Sequence, residues 1–138
     1  MLNKGIDTKL LAVVTTDVTA TSTTFVETGM SIYLSANTSY AIDCLLDVNC
    51  DTDGIRFSLE YDGVATITGM VWDWGIDHQI VTVDVPYTYS IAFVGPFTVR
   101  GYINTSTGGL LRVQVRKNTD LGTDTIIAAG SYLRATAL

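Results

Sequence analysis

The stretch Tyr40-Ala41-Ile42-Asp43-Cys44-Leu45-Leu46-Asp47 sets Tyr40, Ile42, Cys44 and Leu46 against Ala41, Asp43, Leu45 and Asp47. Successive side chains of a strand point to opposite faces, so this run reads as a strand with one apolar and one mostly polar face. The rhythm recurs from Ile55 to Asp62, where Ile55, Phe57, Leu59 and Tyr61 alternate with Arg56, Ser58, Glu60 and Asp62. It recurs again where Leu111, Val113 and Val115 alternate with Arg112, Gln114 and Arg116. Such strands belong to antiparallel sheets with one face on a core. The seven apolar residues Leu46, Ile55, Phe57, Leu59, Leu111, Val113 and Val115 are assigned to that core.

Working outward, further strands read at Thr24–Glu27, Ser31–Leu34, Ala65–Trp72, Gln79–Val83, Ser90–Val94, Phe97–Asn104, Thr125–Ala129 and Tyr132–Ala137. Turns read at Asp51–Gly54, Asp62-Gly63, Gly95-Pro96, Thr107–Gly109 and Asn118–Gly122, where Gly, Asn, Asp and Pro cluster. Threonine is about one residue in seven, which suits a pleated, half-buried surface. No helical period of useful length occurs. The pattern predicts an all-β chain: an antiparallel two-sheet jelly-roll sandwich of about 8–10 short strands. An immunoglobulin sandwich is disfavoured, because Cys44 and Cys50 are too close in sequence to bridge two sheets. The expected division is an N-terminal arm or edge strand over residues 1–20, then a sandwich domain over residues 21–138.

The 138 residues fit one domain. Charged residues are 16% of the chain against about 25% in ordinary soluble domains, while hydrophobic residues reach 47% and mean hydropathy is +0.31. This excludes a disordered chain. It also implies a surface partly covered by copies of the same protein. The net charge of −6 argues against nucleic acid or an anionic membrane as partner. Nine acids and only one base, Arg56, lie between Asp43 and Asp84, whereas bases dominate after Arg100. The first residues lack the charged and apolar regions of a signal peptide, and Leu10–Val14 is far shorter than the ~20 residues of a membrane span. The expectation is a soluble chain made in the cytosol, with Cys44 on a buried strand, Cys50 in a loop and both reduced.

Motifs for chemistry are weak. Asn49–Gly54 with Glu60 imitates a calcium-loop spacing, but the strand rhythm carries Glu60 about 20 Å from Gly54. A looser calcium site at Asp47, Asn49, Asp51 and Asp53 competes with a plain acidic turn, and the turn is preferred. The single histidine, His78, has no nucleophile motif around it. The chain is therefore expected to be no enzyme, with no catalytic residues, no cofactor and no metal. Trp72, Trp74 and His78 form the best ligand or interface cluster, able to stack on a sugar ring or to pack between subunits.

Three pieces of the chain, Thr24–Leu34 with Ala36–Asp43, Phe97–Ile103 with Gly109–Val115, and Gly130–Leu138, resemble the small jelly-roll domains of virion structural proteins of tailed bacteriophages. Those domains are similar to the trimeric heads of tumour necrosis factor and C1q. The resemblance implies a virion component that assembles as a homotrimer. About 20 residues precede the first clear strand, which fits a capsid decoration or cement protein better than a stemmed fibre. On that reading the partners are its own copies and the major capsid protein or another virion protein, with neither nucleic acid nor membrane. Residues 1–20 would then be the capsid-attachment arm, with Lys4, Lys9, Leu10 and Leu11 as contacts, unless Leu10–Val14 is the domain's own first strand. The alternative function is a receptor- or glycan-binding module of a phage tail or head fibre.

Overall fold

Alternation of small runs of β-branched residues with Gly, Asn and Asp produces strands and tight turns throughout, and no helix occurs among the described residues. The computed structural model describes residues 9–51, 54–73, 78–80, 83–89, 92–120 and 122–138, with Lys9, 67–73 and 78–80 described at the backbone. In chain order the strands are β1 (Lys9–Val13), β2 (Val18–Ala20), β3 (Val26–Leu34), β4 (Ser39–Cys50), β5 (Ile55–Tyr61) and β6 (Ala65–Asp73). They continue with β7 (His78–Ile80), β8 (Tyr87–Tyr89), β9 (Phe93–Thr105), β10 (Gly109–Lys117), β11 (Thr125–Ile127) and β12 (Tyr132–Ala137).

Two antiparallel sheets face each other. The larger runs β1-β12-β4-β9-β6-β7, with β11 joining β2 to the end of β4; the smaller runs β3-β10-β5-β8. Six pairings are nested along the chain: β1 with β12, β2 with β11, β3 with β10, β4 with β9, β5 with β8, and β6 with β7. The sandwich core lies between the sheets and includes all seven residues expected there. Tyr89 of the smaller sheet packs edge-on against Phe97 of the larger at 5.1 Å, and Phe93 stacks on Phe97 at 4.5 Å. These rings tie the two layers together beyond what their area alone contributes.

Several local readings are corrected. Gly95-Pro96 is no turn: β9 runs straight through it, pairing Pro96 with Asp47. The proline fits because Asp47 turns its backbone away, its N–H to Ser131 Oγ at 2.9 Å and its carbonyl to the Ala128 N–H at 2.8 Å. No ladder bond is lost to the missing proline N–H on that side. The two strands expected either side of Gly29 are one, β3. Gly29, at φ 84, forms a bulge opposite the β10 register shift. The Thr28 hydroxyl donates to Val113 O at 2.8 Å and accepts the Met30 N–H, satisfying two backbone groups that the bulge takes out of the ladder. Cys50 ends β4 and is buried, where a loop position was expected.

Residues 9–13 form an edge strand hydrogen-bonded to β12, with Leu10 packed against the core and Leu11 outward. Lys4 lies outside the described residues. Gly63 and Gly109 abut where two turns meet; a Cβ on Gly109 would stand 2.6 Å from the Gly63 nitrogen, so a side chain there forces the turns apart.

Phe57 is buried at the centre of β5 and stacks on Tyr87 at 5.8 Å. Replacing it by Ala should cost about 3–5 kcal/mol, a large share of the roughly 5–15 kcal/mol that holds a domain folded. Urea denaturation checks this; a Phe57→Ala protein with an unchanged midpoint would contradict the placement.

Candidate functional site

The outward positions of the larger sheet form a grid set by register. Leu11, Arg134, Asp43 and Arg100 make one row across β1, β12, β4 and β9. Val13, Tyr132, Leu45 and Thr98 make the row on one side, and Lys9, Thr136, Ala41 and Tyr102 the row on the other. Directly opposed residues stand close enough to interact across strands. Leu11 is 61% exposed, Tyr102 49% and Val13 45%, with Tyr132 and Leu45 half-buried among them.

One ion cluster sits in the middle of this apolar field. Asp43 takes the guanidinium of Arg134 on Oδ2 and faces Arg100 Nε at 3.6 Å through Oδ1. The Tyr132 hydroxyl lies 3.4 Å from Asp43 Oδ2, and Arg134 stacks over the Tyr132 ring at 5.6 Å. Pairs this exposed add little to monomer stability. An apolar face with a fixed polar centre suits association instead: the apolar rim contributes affinity, and the charges set register.

The outer face of the smaller sheet is different. Arg112 donates to Glu27 at 2.9 Å and to Asp62 at 3.0 Å, and the Gln114 amide joins Glu27 at 2.7 Å. At the sheet edge Asp84, at φ 60, donates its N–H to Leu59 O and accepts the Tyr61 N–H on Oδ1, clasping the unpaired end of β5. Glu60 lies beside that clasp and accepts from Ser58 at 2.8 Å. Its hydrogen bond to Asp84, then burial, hold the Glu60 carboxyl above its ordinary range, against the opposing pull of Ser58 and Arg112.

The expected site residues are only partly assembled. Trp72 stands opposite Val99 and Gln79 in the ladder, and His78 opposite Asp73, so both lie on neighbouring rungs of the β6–β7 pair. Trp74 and the connection around it lie outside the described residues. Among the described residues no group of three or more His, Cys, Asp or Glu is arranged to hold a metal. Asp53 of the considered calcium site lies outside them, and Asp51 is occupied by the backbone N–H and hydroxyl of Thr123. Neither cysteine forms a disulfide; burial pushes the Cys44 thiol up to about 12 and raises that of Cys50, so neither is poised as a nucleophile. The Asp43 cluster has no linear motif, because its members meet only through cross-strand register. No protein-family profile, curated protein or solved structure matches the chain.

The clasp has a pH signature. A carboxyl whose folded pKa is raised takes up a proton on folding, so its stabilisation is greatest in acid and falls as pH rises from roughly 4 through the folded value. Glu60→Gln removes that dependence. Its melting temperature should gain on wild type as pH rises from 4 to 7; a difference that stays flat with pH would contradict the upward displacement of the Glu60 carboxyl.

Proposed function

We propose that the chain is a non-catalytic virion structural protein, a head decoration or cement protein that binds the outside of a tailed-phage capsid as a homotrimer. The observation that carries this reading is the outward face of the larger sheet. It presents Leu11, Val13 and Tyr102 around the Asp43–Arg134–Arg100 centre in a chain with few charges to cover its surface. A jelly-roll fold is supported by the six nested pairings, since a two-stranded ribbon wrapped into two sheets pairs its strands first with last, inward to the middle. The β6–β7 pair is the innermost of the series and extends the larger sheet beyond β9. The trimer and the virion location are proposed from the resemblance of three sequence pieces, Thr24–Asp43, Phe97–Val115 and Gly130–Leu138, to phage virion jelly rolls.

Decoration requires no catalysis. A sandwich that covers an apolar face with neighbours and leaves a polar face to solvent stabilises a shell by adding contacts at many equivalent positions. Edge strand β1 borders the apolar face and carries Lys9, so this edge is the proposed contact with the major capsid protein.

Reconstruction of particles carrying the chain tests the assignment: hundreds of copies on the outside of the head are expected. A handful of copies at the tail would instead make it the receptor- or glycan-binding module, with Trp72, Trp74 and His78 as its contacts. Absence from particles would contradict both. In solution, light scattering should give three times the 14.9 kDa chain mass. Tyr102→Glu should reduce this to a single chain with an unaltered circular dichroism spectrum, because surface changes usually move stability by only about 0.5 kcal/mol. A wild-type monomer at all concentrations that also ignores capsids would overturn the trimer.

A further inference from the structure

The outer face of the smaller sheet holds one arrangement that the fold alone does not require. Arg56 of β5 and Arg116 of β10 stand directly opposite each other in the ladder. Like charges in that relation are destabilising. The chain has 14 acids to 8 bases, yet no carboxylate among the described residues forms an ion pair with either. Arg100, Arg112 and Arg134 all have acidic partners, whereas Arg56 and Arg116 have no ion pair among the described residues.

The two guanidiniums are nonetheless held in place by neutral groups. Arg116 stacks over the Phe25 ring at 5.3 Å and donates through Nη1 to the carbonyls of Lys117 at 3.0 Å and Asn118 at 3.4 Å. Arg56 donates through Nε to the Asn118 side-chain oxygen at 3.2 Å. Thr88 continues the row on β8, opposite Arg56. Behind this row Lys117, only 3% exposed, sends its ammonium to Gly122 O at 3.2 Å and adds a third positive charge to the same end of the sheet. Asp51, in the turn before β5, has its carboxylate on Thr123. Burial, then the neighbouring Arg56, pulls Arg116 below the usual guanidinium range, as expected for two uncompensated cations side by side.

We propose that Arg56 and Arg116 form an oxyanion-binding site in which two guanidinium forks converge on one carboxylate, sulfate or phosphate group. Their neutral anchors use only part of each fork, and guanidinium donors match the oxygens of such groups geometrically. A bound oxyanion converts a repulsive cross-strand pair into a bridged one. The anion can be free in solution or carried by an acidic polypeptide, and the two sources share this chemistry. The site lies on the sheet opposite the proposed assembly face and does not depend on it.

The test uses the whole chain at constant ionic strength with chloride as the balancing anion. Millimolar sodium sulfate is one arm and a hexaglutamate peptide the other. At ten times the dissociation constant the melting temperature should rise by about 3–6 °C. In parallel, arginine side-chain Nε–Hε resonances of the wild-type protein should shift for two of the five arginines, Arg56 and Arg116. Response to sulfate alone supports a free dianion, and stronger response to hexaglutamate supports a partner's carboxylates. The double variant Arg56→Gln/Arg116→Gln should lose the rise. No rise with either anion, an equal rise in the double variant, or shifts spread over all five arginines would overturn the site.

Discussion

The twelve-rung ladder between β4 and β9, from Ser39 opposite Asn104 to Cys50 opposite Phe93, is the constraint on which the rest of the sandwich depends. β4 lies inside the larger sheet, flanked by β9 on one side and by β12 and β11 on the other. Tyr40, Ile42, Cys44, Leu46, Val48 and Cys50 all enter the core from it. A slip of one residue would put Asp43 and Asp47 in their places, and burying two carboxylates without partners costs far more than a domain can lose. The ladder therefore has one allowed register. Once it is set, β12 follows on one flank and β6 on the other, and β1 is carried in on β12.

The same register builds the outward face. Asp43 is the outward residue at the middle of β4, so the arginines opposite it on β9 and β12 converge on one carboxylate. Leu11 and Tyr102 are placed beside that centre by the same pairings, although they are 91 positions apart in sequence. The smaller sheet repeats the logic with another outcome. Its alternate residues are mostly polar apart from the exposed pair Tyr33 and Leu110, and its charges divide into an acid-rich half around Arg112 and an arginine pair at Arg56 and Arg116. We propose that the first face is buried against neighbours and that the second meets water and small anions.

The period-two pattern made the all-β class, the two sheets and the seven central core residues legible, because a half-buried strand writes its burial directly into alternate letters. Turns that depend on local chemistry, such as Asp62-Gly63, were legible for the same reason. Gly95-Pro96 misled because proline tolerance depends on where Asp47 points its backbone, and that is set by the Ala128–Ser131 turn far along the chain. Gly29 misled because a glycine that ends a strand and one that forms a bulge look alike in sequence. The candidate sites were least legible. Trp72 and His78 are near in sequence, so they drew attention, whereas Asp43 with Arg100 and Arg134, or Arg56 with Arg116, are joined only by register.

On the proposed function, the larger sheet's outward face is covered by neighbours while the smaller sheet's face stays in water. Tyr102 and Tyr33 report on the two faces, at 49% and 61% exposure in the single chain. Hydroxyl-radical footprinting of the assembled and the dissociated protein compares them directly. Assembly should sharply lower oxidation of Tyr102 and leave that of Tyr33 unchanged. Oxidation of Tyr102 at the same rate in both states, or protection of Tyr33 instead, would contradict the assignment of the faces.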